Sequence, residues 1–177
     1  MREATNKEIM LHALKTTVIP MLKARGFSGK YPHYRRDGAD CIALISFFAD
    51  KYGGSFTVEV SAVFPDSADR NLSGTRDPEE RALTVARTNR RYRLKGMFDG
   101  WFYYTDVYCK RTCRFGKIYY TPETGAKPVP DPAKGWRLVQ RFDATAAEAV
   151  CSEVEKQLQT AFAWLDKFVR RRRAKRR

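Results

Sequence analysis

A chain of 177 residues, 43% hydrophobic and 13% aromatic, has enough apolar material for one sizeable core and is short for two, so a single folded domain is expected and a disordered one excluded. Lys and Arg number 34 against 20 Asp and Glu, a net charge of +14 that points toward anionic partners and carries no information about fold. No basic flank leads into an apolar run near the start and no stretch approaches eighteen apolar residues, which predicts neither signal peptide nor membrane span, and hence a cytoplasmic protein with reduced cysteines.

Thr5-Asn6-Lys7-Glu8 has the spacing of a capping box and predicts a helix start. Leu11, Leu14, Val18, Met21 and Leu22 continue as an apolar stripe at helical spacing. Pro20 is expected to kink or divide that helix, and Gly26 to end it in a left-handed conformation with Phe27 folded back on Leu22. Tyr31 to Arg36 reads as a short strand entering an Asp37-Gly38 turn. Cys41 to Phe64 then supplies two β-branched and aromatic runs joined by Tyr52-Gly-Gly-Ser55, an antiparallel hairpin. Its first run is apolar on both faces, as a central strand is. In its second run Phe56, Val58, Val60, Ala62 and Phe64 share the core face, while Thr57, Glu59, Ser61 and Val63 face water or another element.

Pro65 to Thr75 reads as a surface loop, and Asp77-Pro78-Glu79-Glu80 as the start of a helix running to about Thr88. Arg91 to Leu94, Trp101 to Tyr108 and Phe115 to Tyr120 are predicted strands, followed by a proline-rich exposed loop over 121–135. Trp136 to Phe142 reads as the last strand. Asp143 caps a final helix in which Val150, Val154, Leu158, Ala161, Leu165 and Phe168 recur at helical spacing. The fold expected is α+β: one domain over residues 1–169, an antiparallel sheet of about five to seven strands with the first and last helices on one face, and a basic tail over 170–177.

Pro20-Met-Leu-Lys-Ala-Arg-Gly-Phe27, Tyr34-Arg35-Arg36, the hairpin, Arg91-Tyr-Arg-Leu94, Asp99-Gly-Trp101-Phe102 and Ala163-Trp-Leu-Asp-Lys-Phe168 together resemble a bacterial family called domain of unknown function 4304, over most of residues 6–168. The resemblance implies one small α+β domain of bacterial or phage origin and brings no catalytic residues with it. The basic tail lies outside the pattern.

Nucleic-acid binding is the first functional expectation. Arg81, Arg87, Arg90, Arg91, Arg93 and Lys95 follow one another without an acid, and Lys110, Arg111, Arg114 and Lys117 come after them. Tyr92, Trp101, Tyr103, Tyr104, Tyr108, Phe115 and Tyr119 lie between and beside them, cations for phosphates next to rings that stack on bases. The bland alternative has the rings in a core and the arginines on its rim. In the tail, Arg170, Arg171, Arg172, Arg173, Lys175, Arg176 and Arg177 form either a helical arm along phosphates or a solvated end. The rival function is a protein-interaction module of the inhibitor, immunity or adaptor type, with Trp101, Phe102 and Tyr104 as exposed contacts.

Other chemistries find less support. Cys109 and Cys113 form one close pair where a structural zinc site needs two, so neither metal nor cofactor is expected, with Cys41 and His33 the only imaginable further ligands. His12 and His33 join no nucleophile motif, Gly53-Gly54 is too short to cradle a phosphate, and Glu59, Asp99 and Asp106 are an improbable carboxylate set. A hydrolase is therefore a distant third and the expected protein is not an enzyme.

Overall fold

The computed structural model of the chain describes residues 2–39, 41–64, 83–97, 99–110, 133 and 135–174. The capping box is present: Thr5 Oγ1 accepts from the Glu8 backbone N–H at 3.3 Å, and the Glu8 carboxylate accepts from the Thr5 N–H at 2.7 Å. It opens α1, Asn6–Thr16. The helix divides at Thr17, and α2 spans Val18–Ala24 with Pro20 in its first turn, where a missing N–H costs least. Gly26 closes α2 at φ +81°, its N–H on the Lys23 carbonyl at 2.9 Å and that of Phe27 on the Leu22 carbonyl at 3.1 Å, the bond pair of a Schellman cap.

Four strands follow as an antiparallel meander: β1 Ser28–Lys30, β2 His33–Asp37, β3 Ile42–Ala49 and β4 Ser55–Val63. Two short strands then share the far edge of β4. β5, Arg91–Arg93, pairs with Glu59 to Ser61, and β6, Phe102–Tyr103, pairs with Ser55 and Phe56. β7 Val107–Lys110 and β8 Trp136–Gln140 form a separate two-stranded ribbon, and α3 runs Ala144–Ala174. The architecture is α+β, one antiparallel sheet with an N-terminal and a C-terminal helical layer.

The main core lies where both helical layers meet the sheet. Phe56, Val58, Val60 and Ala62 of β4 join Leu14, Val18 and Leu22 from the first helices and Val150, Val154, Leu158, Ala161 and Leu165 from α3. The opposite face of the hairpin is covered as well. Ile42, Leu44 and Val63 pack with Leu83 and Val85 in a second, smaller cluster.

That covering segment departs from the expected helix to Thr88. Residues 83–88 hold a single 3-10 turn, Val85–Arg87, flanked by extended Thr84 and Thr88. With this turn between extended Thr84 and Thr88, Leu83, Val85 and Thr88 are all buried against the sheet, where Ser61 Oγ lies 2.8 Å from Thr88 Oγ1 and Thr88 Oγ1 donates to the Val85 carbonyl at 2.7 Å. Two further departures are local. β1 was not predicted, and the run Trp101 to Tyr108 is broken between β6 and β7, where Asp106 Oδ1 accepts from the Phe142 N–H at 2.9 Å. The loop over 65–75, the helix start at Asp77, the strand at 115–120 and most of the proline-rich loop lie outside the described residues.

Candidate nucleic-acid interface

α3 is the element that brings the two basic segments together. Asp143 caps it, accepting from the Ala146 N–H at 2.9 Å, and its buried stripe from Ala147 to Leu165 holds one side on the sheet. The helix continues past Phe168 through Arg170–Arg173 to Ala174, so the tail begins as helix. Cations in this last turn complement the carbonyl end of the helix dipole.

An aromatic ladder joins that turn to the sheet edge. The Trp164 and Phe168 rings are parallel within 2° with centroids 5.6 Å apart, a consequence of their i, i+4 spacing. Tyr92 of β5 lies 5.5 Å from Trp164, and Phe64, just after β4, lies 5.4 Å from Phe168. Arginines stack on this ladder: Arg90 stands 5.1 Å from the Phe168 centroid and Arg172 5.3 Å from that of Phe64. Arg93 lies 5.4 Å over Trp101. The middle segment and the tail, far apart in sequence, thus meet across Phe168 and Phe64 through Arg90 and Arg172, while Arg170, Arg171 and Arg173 are exposed around the same last turns of α3.

The other candidates are placed as follows. Arg87 is exposed at the end of the 3-10 turn. Arg91 is engaged within the fold, its Nε donating to the Thr88 carbonyl at 2.9 Å and its Nη2 to the Ala86 carbonyl at 3.2 Å. Glu59, 14% exposed, pairs with Arg91 at 3.5 Å and with Arg93 at 3.8 Å. Lys110 ends β7, and its side chain, like Arg111, lies outside the described residues. Phe102 and Tyr104 do not form a contact surface: both are buried, and both rings lie on Phe56 at 5.3 and 6.3 Å. The register of β6, with Phe102 opposite Phe56, turns them into the main core. Trp101 is half-buried.

The sequence places Phe168 and Phe64 on apolar core faces and Trp164 only in the family-like stretch, although the i, i+4 spacing of Trp164 and Phe168 signals their contact. Gln157 carried no signal at all. Its Oε1 accepts from the Gly96 N–H at 3.0 Å and its Nε2 donates to the Gly96 carbonyl at 2.9 Å, which fastens the loop between Arg93 and Trp101 onto α3.

Catalytic geometry is sparse among the described residues. His33 Nδ1 lies 2.8 Å from Ser46 Oγ on the neighbouring strand, while His12 is exposed on α1. Glu59 pairs with arginines, and Asp106 holds Phe142 and the Asn6 side chain, so the carboxylates serve separate structural partners. Burial pushes the Cys151 thiol up to about 12, assisted by Glu155 and Glu148. No group of three or more His, Cys, Asp or Glu suited to a metal occurs among the described residues, and none of their helices is long and apolar enough to cross a membrane. Cys113 and the side chain of Cys109 lie outside them.

Comparison with known proteins returns one match. The family model described as Domain of unknown function (DUF4304) matches residues 18–167. No curated protein and no solved structure matches the chain.

Proposed function

Since the chain belongs to the family described as domain of unknown function 4304, its role has to be argued from its own surface, and we propose a non-catalytic cytoplasmic binding module for a polyanion, nucleic acid first. The observation that carries this reading is the meeting of Arg90 with the Arg170–Arg173 turn of α3, where Arg90 and Arg172 stack on the adjoining Phe168 and Phe64 rings. Guanidinium groups there meet successive phosphates and release the counterions condensed on them. The rings between them are taken up with one another or with arginines, so few faces remain for bases. Recognition through phosphates follows, with little dependence on base sequence.

The test is binding of single- and double-stranded DNA and RNA across a salt series by the full chain and by a variant with Arg170, Arg171 and Arg173 replaced by Gln. Arg172 is kept because it covers Phe64. At about 0.9 log units per neutralised duplex phosphate, the variant should lose roughly 2 to 3 units from the slope of log K against log salt. An unchanged slope sinks the reading and returns attention to a protein partner. That rival retains only Trp101 of its three aromatic contacts as a partly accessible ring.

A further inference from the structure

A cavity of about 360 Å³ opens between the turn joining β2 to β3 and the last turns of α3. On the helix side Asp166, Val169, Arg170 and Arg173 line it at i, i+3, i+4 and i+7, a single helix face. On the sheet side stand Arg36, near the end of β2, and Ala39 and Cys41 of the turn. Among the described residues, three arginines and one aspartate therefore line it, and Arg173 is already engaged within the chain.

Arg36 is fixed before any ligand arrives. Its guanidinium lies 4.9 Å over the Phe27 ring, and its Nη1 donates to the Arg25 carbonyl at 3.3 Å. Among the described residues Arg170 forms no ion pair, so its charge is unmatched there. Forked guanidinium groups suit the oxygens of a phosphate, and three of them favour the dianion of a monoester over the single charge of a diester link. The remaining lining gives the other half of the ligand. Val169, partly exposed, offers an apolar contact for a ring, and the Asp166 carboxylate is an acceptor for sugar hydroxyls. The volume falls at the lower end of the range for small-ligand pockets, too small for a strand to run through and adequate for one nucleotide.

We propose that this cavity binds the phosphomonoester of a single nucleotide unit, its phosphate held by Arg36, Arg170 and Arg173 and its sugar by Asp166. The source is either a free nucleoside monophosphate or the 5′-phosphate that ends a strand. The assignment shares Arg170 and Arg173 with the polyanion surface and does not depend on it, since Arg90 and Arg93 take no part in the cavity.

Isothermal titration of the full chain with AMP, adenosine and inorganic phosphate tests the site, at a salt concentration high enough to suppress polyanion binding. AMP is expected to bind more than tenfold tighter than adenosine, because each charge-assisted hydrogen bond to the phosphate contributes about tenfold or more in affinity. The double variant Arg170→Gln/Arg173→Gln should weaken AMP by more than tenfold. Ala39→Trp, at an exposed turn position, should do the same by filling the cavity, with a thermal melt confirming that each variant is folded. Arg90→Gln should leave AMP binding unchanged. Equal affinity for AMP and adenosine, or parent affinity in both cavity variants, overturns the proposal. Oligonucleotides with 5′-phosphate and 5′-hydroxyl ends identify the source: a preference for the phosphorylated strand assigns the strand end, and equal binding assigns the free nucleotide. A flat salt slope for polyanions, with AMP binding intact, would remove the earlier reading and leave this one standing.

Discussion

At Cys151 a thiol is enclosed where α3 meets the sheet, and burial raises its pKa from 9.0 to about 12, with Glu155 and Glu148 adding to the shift. Since the thiolate is the nucleophile, this cysteine is unreactive at neutral pH. Site-resolved mass spectrometry after iodoacetamide treatment at pH 8 should find Cys151 unmodified in the native protein and modified after denaturation. Rapid native labelling would show that the helix does not enclose it. The same shift sets a sign for alkaline stability. A group whose folded pKa is raised stabilises the fold at pH values below its unfolded pKa, and that contribution disappears as pH climbs toward the folded value. Burial also raises Tyr31, Tyr34, Tyr103 and Tyr104 above 10.0, in the same direction. The melting temperature should therefore fall from about pH 9 upward, and a flat alkaline profile would contradict the enclosure of these groups.

Among the elements, two glycines in left-handed conformations separate strain from collision. At Gly26, φ +81°, an added Cβ would meet nothing nearer than Arg36 Cδ at 3.5 Å. Gly26→Ala should then cost only the backbone conformation, about 1 kcal/mol, or roughly 2–4 °C in a chain of this size. At Gly96, φ +68°, the Cβ would lie 2.3 Å from the Trp101 backbone nitrogen and 2.5 Å from the Gly100 carbonyl carbon, neither of which can move aside cheaply. Gly96→Ala should lower the melting temperature clearly more; equal melts for the two variants would mean that the Gln157 clamp does not fix the loop. Elements with local signals were legible in the sequence: the capping box, the Schellman cap, the hairpin and α3 all rest on residues within one or two turns of each other. β1 was not, because Ser28-Gly29-Lys30 has no strand-forming side chain and is held by its partner, with Gly29 so close that a Cβ would lie 2.6 Å from the His33 carbonyl oxygen. The arginine surface was half legible. Its charges show in the sequence, but the ladder that gathers them depends on Phe64 and Phe168 meeting across a large sequence separation.

For the molecule as a whole, the hairpin is enclosed on both sides, by the helices and by residues 83–88. Thr57 and Ser61 looked like a solvent face because they are polar; they are buried because their hydroxyls are small, and that of Ser61 has partners 27 and 29 residues away. Val58 is fully buried in the main core, so Val58→Asp would place an unpaired carboxylate among aromatic and aliphatic side chains. A loss of about 4 kcal/mol or more is expected, seen as an unfolded circular dichroism spectrum, and a cooperative melt near the parent temperature would show the strand to be wrongly placed. Glu59 is the one charged side chain along β4, and in the observed pairing it reaches Arg91 and Arg93 on the outer strand. If β4 slid by one residue against β3, every side chain would change face, and this carboxylate would enter the space now held by Val58 and Val60 with no cation to meet it. A strand otherwise apolar or neutral along its length thus carries one mark by which correct alignment differs from its nearest error, and the arginines that read the mark belong to the segment that also bears the surface charge.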